Sequence, residues 1–338
     1  MRTPSNYVGV VVFSILALLS FTLEAQEGGE APVGAEARGA GMAAARVCGP
    51  GYLRCEYMVD PLGIDAEHPR LSWRLEDGRE GAGQSAYAVV VGTDSSRLLK
   101  GQGIYSTGRK FSGEQLITYT GPALKPFTRY YWKVDIWDKK GKKGVTAKVA
   151  SFETGMMEMK SWRGAWISDS RNIHTQAAPY FRRVFRPSGK IRSARAYIAA
   201  AGLYELYING HKIGDHRLDP MYTRFDRRNL YVTYDLTNDL REGDNAVGVL
   251  LGNGWYNMLS TAVWYFHEAP WRARPCFCLD IRITYEDGST ETVSSGKDWK
   301  TSLSPIIFNS IYTGEHIDHR REQAGWNTPA FKIGRAHV

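Results

Sequence analysis

The sequence predicts an all-β protein built of two antiparallel β-sandwiches. Three observations carry that. Short apolar runs with period-2 alternation recur along the chain, separated by Gly, Pro, Asn and Asp clusters. No stretch carries helical periodicity long enough for a core helix. The residue types also suit pleated strands and tight turns, with 35 Gly, 19 Tyr and 12% aromatic content. At 338 residues and 43% hydrophobic content there is apolar material for two such cores.

Residues 1–25 read as a secretory signal: Arg2, an apolar Val8–Leu23 run, and Ala25 before a cut. Leu23 and the length of the run depart from the usual pattern. An uncleaved anchor is the alternative, since a span needs roughly 20 apolar residues. Either way the folded part is expected outside the cytoplasm, secreted or periplasmic. Residues 26–49 follow as a linker rich in Ala, Gly and Glu, with too little to bury to offset its ordering entropy. Cys48 and Cys55 flank a Gly-Pro-Gly turn; they either pair in an oxidising compartment or stand as two unrelated thiols. Cys276 and Cys278 share one face of a strand, are poorly placed to bond each other, and read as small buried hydrophobes.

The first sandwich is expected over 50–155, with strand runs at Leu53–Val59, Arg70–Leu75, Ala86–Gly92, Ile104–Tyr105, Ile117–Tyr119, Tyr130–Asp138 and Ala147–Thr154. Leu124-Lys-Pro-Phe-Thr-Arg-Tyr130, followed by Val134, resembles the tyrosine corner of fibronectin type III domains. There the hydroxyl of a Tyr opening a strand folds back onto upstream backbone. Trp132, Val134 and Ile136 alternate on the face expected to be buried, and truncating Trp132 should cost roughly 3–5 kcal/mol. Trp73 reads as core for the same reason. The module as a whole reads as a spacer. The net charge of +8 raises a polyanion partner, but the densest run, Lys139, Lys140, Lys142 and Lys143, sits around Gly141 on a hairpin tip. A solvated turn accounts for it, so no nucleic-acid partner is expected, nor any membrane contact beyond the signal segment.

The second sandwich is expected over 160–331 and is organised around Tyr197–Asn257. Tyr204, Leu206 and Ile208 alternate inward, and Asn209-Gly210 supplies a two-residue hairpin turn. Tyr231–Leu236 and Ala246–Leu251 repeat the pattern. Ala178–Phe185 and Ser193–Ala199 precede it, and Phe277–Tyr285 turns through Glu286-Asp-Gly-Ser289, a type I′-like hairpin, into Thr290–Val293. A jelly-roll-like sandwich fits best. Acid–base catalysis by carboxyl groups needs two of them facing one substrate. The acidic candidates Asp215, Asp219, Asp226, Asp235, Asp239, Glu315 and Asp318 mostly sit beside Gly, Pro or Asn, where Asp serves the turn. His211, His216, His316 and His319 follow no ligand spacing. No catalytic, metal-binding or cofactor-binding residue is therefore assigned, and no cofactor is expected. Trp255, Tyr256, Trp264 and Tyr265 stand in loops without strand alternation; they either stack on a sugar or dock a neighbouring domain, with docking preferred.

Tyr204–Pro220 (YELYINGHKIGDHRLDP) and Asn229–Tyr256 (NLYVTYDLTNDLREGDNAVGVLLGNGWY) closely resemble the amino-terminal sandwich domain of bacterial α-L-rhamnosidases. The similarity runs from about Leu53 to about Phe331. It implies the amino-terminal portion of a secreted glycoside hydrolase that removes terminal rhamnose from glycans and glycosides with inversion. The acid and base would lie in a downstream helical barrel, absent from this chain, against which the second sandwich packs. The competing class is a non-enzymatic carbohydrate-binding or adhesin protein of two sandwiches. Residues 333–338, IGRAHV, do not continue the resemblance and match one reading frame of a short-read sequencing adapter, so a non-native tail is expected there.

Overall fold

The computed structural model describes residues 48–145, 148–261 and 264–332. The expected signal, the linker up to residue 47 and the tail 333–338 lie outside the described residues.

Seven strands build the first sandwich: β1 (Gly49–Cys55), β2 (Arg70–Glu76), β3 (Gln84–Gly92), β4 (Tyr105–Ser106), β5 (Leu116–Thr118), β6 (Arg129–Asp138) and β7 (Ala150–Glu153). They form a sheet of order β1-β2-β5 facing a sheet of order β4-β3-β6-β7. All pairings are antiparallel. Alternation dictates the core. Trp132, Val134 and Ile136 of β6 are fully buried against Val89 and Val91 of β3 and Leu71 and Trp73 of β2. The Tyr130 hydroxyl accepts from the backbone N–H of Lys125 at 2.8 Å, and the ring stacks on Phe152. The tyrosine corner is therefore present. The lysine-rich tip turns through Gly141 at φ +75°, with Asp138 Oδ1 accepting from the N–H groups of Lys140 and Lys142.

The first strand differs from expectation. It begins at Gly49 and ends at Cys55, because Glu56 and Tyr57 both take positive φ and a tight Cys55–Met58 turn closes there. The apolar Tyr57-Met-Val59 run is left exposed. A short helix α1 (Ser95–Leu99) also escaped the pattern. Asp94 caps it, accepting from the N–H groups of Ser96 and Arg97, and Leu98 pins it to the core.

The second sandwich comprises β8 (Pro179–Phe185), β9 (Ile191–Ala201), β10 (Leu203–Ile208), β11 (His211–Lys212), β12 (Tyr231–Asp235), β13 (Asn245–Gly252), β14 (Cys276–Tyr285), β15 (Thr290–Ser294) and β16 (Lys300–Leu303). A five-stranded sheet, β11-β10-β13-β8-β16, packs on a four-stranded one, β12-β9-β14-β15. Tyr204, Leu206 and Ile208 point inward to meet Val249, Ile198, Phe277 and Ile281. Asn209 and Gly210 take φ of +51° and +93°, so the expected two-residue hairpin turn is present and is of type I′. The Asp287-Gly288 turn is not of that type: only Gly288 has positive φ, and Gly288 N–H bonds Tyr285 C=O. This is the three-residue loop, a type I turn closed by a left-handed glycine. A last hairpin, β17 (Ile306–Ser310) and β18 (Gly314–Ile317), and the segment after it cover the outer face of the five-stranded sheet. Trp326 stacks on Tyr180 at 3.9 Å, directly over Gly248, where a Cβ would clash with the indole.

The two sandwiches meet in a packed joint. Arg195 of β9 is buried and makes a bidentate pair with Glu153 of β7 at 2.8 and 3.0 Å. Its Nη1 donates to Asp235 Oδ1 at 2.7 Å, to Ala194 C=O at 2.9 Å and to Thr237 Oγ1 at 3.1 Å. The Tyr231 hydroxyl accepts from Met156 N–H at 3.1 Å, and the Phe127 ring meets Tyr197 edge-on. Gly155 and Gly63 allow this approach: a Cβ on either would strike Tyr231 or Thr233.

Candidate functional site

The loop leaving β13 carries Trp255 and Tyr256, and a buried amide lattice fixes it. Asn253 N–H donates to Asn309 Oδ1 at 2.7 Å, Asn257 Nδ2 donates to Asn253 Oδ1 at 3.1 Å, and Arg272 Nε donates to Asn257 Oδ1 at 3.0 Å. All three asparagines are buried, so the loop is held in one conformation. On this base Trp255 stacks with Trp264 (6.1 Å, 28°) and meets Tyr312 edge-on (5.5 Å, 89°), with Tyr222 and Phe266 completing the group. Trp264 and Tyr265 are 71% and 72% exposed, and both take left-handed backbone at φ +55°. Tyr256 turns the other way. It packs on Phe225, and burial together with the Cys276 thiol pushes its hydroxyl up to about 12. Of the four loop aromatics, then, Trp255 and Trp264 act together and Tyr265 stands at the edge, while Tyr256 belongs to the interior. Tyr222 and Tyr312 join the group from distant segments, and no local spacing signals them.

Beside this group lies an open cleft of about 520 Å³ on the five-stranded sheet. Leu203, Leu218, Leu250 and Ile306 give it apolar walls, and Glu205, Arg217 and Glu315 bring charge. Two carboxylates at one cleft demand a check for acid and base. Both oxygens of Glu205 are engaged: Lys212 Nζ donates to Oε1 and Tyr207 to Oε2, each at 2.6 Å. Partial burial works against its charge, yet these two donors hold the carboxyl below the usual glutamate range. A general acid needs the opposite shift. Glu315 is exposed on β18.

The remaining acidic candidates serve local structure. Asp219 accepts from His216 and Tyr234, Asp226 pairs with Arg224, and Asp318 caps a short turn and pairs with Arg320. Asp215 is fully exposed. Burial, with the Asp235 charge adding to it, pushes the Asp239 carboxyl up, but neither residue lines the cleft. Among the described residues no group of three or more His, Cys, Asp or Glu is placed to hold a metal ion.

The family described as the Rha78A-like N-terminal immunoglobulin domain matches residues 50–158, and the α-L-rhamnosidase N-terminal domain matches residues 189–336. The chain carries the amino-terminal domains of the α-L-rhamnosidase family. An α-L-rhamnosidase of Formosa agariphila is 31% identical over 297 residues, covering 80% of this chain and 31% of its own length. Among solved structures, the α-L-rhamnosidase of Dictyoglumus thermophilum superposes with a TM-score of 0.77 at 38% identity, covering 84% of this chain and 33% of that one. That of Aspergillus terreus gives 0.76 at 28% identity over the same shares. The chain thus spans about a third of the length of these α-L-rhamnosidases. The matched span takes in both sandwiches, as the sequence motifs implied.

Proposed function

We propose that this chain is the non-catalytic amino-terminal portion of a secreted α-L-rhamnosidase that hydrolyses terminal α-L-rhamnosides. The observation that carries the reading is the state of the carboxylates. At the cleft beside the aromatic group stand a fixed anion, Glu205, and an exposed Glu315, and of the other acidic candidates Asp226 and Asp318 pair with arginine. In the parent enzyme an acid would protonate the leaving oxygen and a base would activate water from the opposite face, giving inversion, and both belong to a downstream catalytic part. The two packed sheets of the second sandwich, read here as jelly-roll-like, would give such a part a rigid seat. Trp264, Tyr265 and Met221, all exposed, supply the apolar surface for docking it. Sequencing the source DNA across codon 333 tests this. The reading expects an open frame running on for several hundred codons of helical repeats; a native stop immediately after codon 338 counts against it and favours a free-standing binding protein.

A further inference from the structure

We infer that the cleft between the β10–β13 face, the 214–220 loop and the β17–β18 hairpin is a binding site for a neutral pyranose at the end of a glycan. Its volume of about 520 Å³ falls in the range of small-ligand sites, roughly 300–1,000 Å³. Its walls join two chemistries that a sugar ring presents together. Leu203, Leu218, Leu250 and Ile306 suit the C–H face, while Arg217 and Glu315 suit vicinal hydroxyls that donate and accept. These two charged side chains approach from separate walls without pairing with each other. Arg217 Nη1 bonds only the carbonyls of Asp215 and His216, and among the described residues the Glu315 carboxylate has no partner. A cation and an anion on opposite walls that do not pair with each other offer one polar ligand both donors and an acceptor.

The charge count selects the ligand class. Lys212 neutralises Glu205 at 2.6 Å, which leaves one cation and one anion. A uronate would gain Arg217 but face Glu315, and an amino sugar the reverse, so a neutral polyol fits better than either. At the cleft's end Gly254 and Ile311 directly precede Trp255 and Tyr312, whose edge-on pair forms an aromatic sill for a following sugar ring. The buried Asn253–Asn257–Asn309 lattice holds that sill in place before any ligand arrives, which lowers the ordering cost of binding. The inference does not depend on where acid and base lie, and turnover does not enter its readout.

The test uses the full chain and tryptophan fluorescence, with calorimetry as a second readout. L-rhamnose and D-galactose are titrated as neutral sugars and D-galacturonate as the anionic control. Saturable quenching by a neutral sugar is expected, weakened about tenfold or more in both Arg217→Met and Glu315→Gln, because each removes a charge-assisted hydrogen bond. Both positions are exposed, so unchanged melting temperatures should accompany the loss. Quenching that rises linearly with every sugar, or saturable binding that survives both substitutions, overturns the site. Tighter binding of galacturonate overturns the ligand class.

Discussion

Replacing Glu153 by Gln should uncouple the two sandwiches. Arg195, 10% exposed at its side chain, donates two of its hydrogen bonds to Glu153, itself 9% exposed. Removing one partner of a buried ion pair costs roughly 3–5 kcal/mol, chiefly because the other charge stays buried without its counterion. Asp235 remains 2.7 Å from Arg195 and is half in solvent, so the lower end applies, about 3 kcal/mol. At roughly 2 °C per kcal/mol for a body of this size, the melt should fall by about 6 °C. Scanning calorimetry distinguishes the joint from a merely local contact. The parent chain should unfold in one transition, and Glu153→Gln should broaden it or split it in two. Asp244→Asn is the control, since its pair with Arg186 is exposed on both sides and should move the melt by less than about 1 °C. Two separated transitions in the parent chain, or a Glu153→Gln melt that matches the control, would refute the idea of a rigid joint.

Three further outcomes follow from the same structure. Tyr130→Phe leaves the Lys125 N–H without its acceptor and should cost about 1–3 kcal/mol in urea unfolding, with little change in slope. The Arg320 guanidinium beside Asp318, acting against slight desolvation, holds its carboxyl at about 2, below the ordinary 3.8. A lowered folded-state value means stabilisation that is complete above pH 3.8 and lost as pH falls toward 2, so Asp318→Asn should flatten the stability curve in that window and nowhere else. All four cysteines are free, and burial pushes the Cys55, Cys276 and Cys278 thiols up to about 12, 11 and 12. A colorimetric disulfide reagent at pH 8 should therefore react slowly with the native chain and release four equivalents after denaturation; two equivalents would reveal a Cys48–Cys55 bond.

Much of the fold was legible because strand alternation writes burial directly into sequence. Tyr204-Glu-Leu-Tyr-Ile208 declares its inner face, and Asn209-Gly210 its turn. The tyrosine corner was readable because its partners lie five residues apart. What failed was chemistry that residue type underdetermines. Tyr57-Met-Val59 looks like strand, but positive φ at Glu56 and Tyr57 ends β1 first. Asp287-Gly288 is compatible with two turn types, and the register of β14 with β15 chose the longer loop. The candidate site was harder. Trp255 and Trp264 stood out as loop aromatics, yet Tyr222 and Tyr312 reach them only through tertiary packing. Arg217 and Glu315 line one cleft although about a hundred residues separate them, and the Glu153–Arg195 joint crosses a domain boundary. No period or spacing encodes such meetings.

On the function proposed above, these residues form a support without an acid–base pair, and hydrolysis is performed elsewhere in the parent enzyme. The most direct measurement is release of the aryl group from an aryl α-L-rhamnoside by the purified chain. No turnover above the buffer blank is expected at any pH. Turnover that persists through purification and vanishes in Glu205→Gln or Glu315→Gln would contradict it.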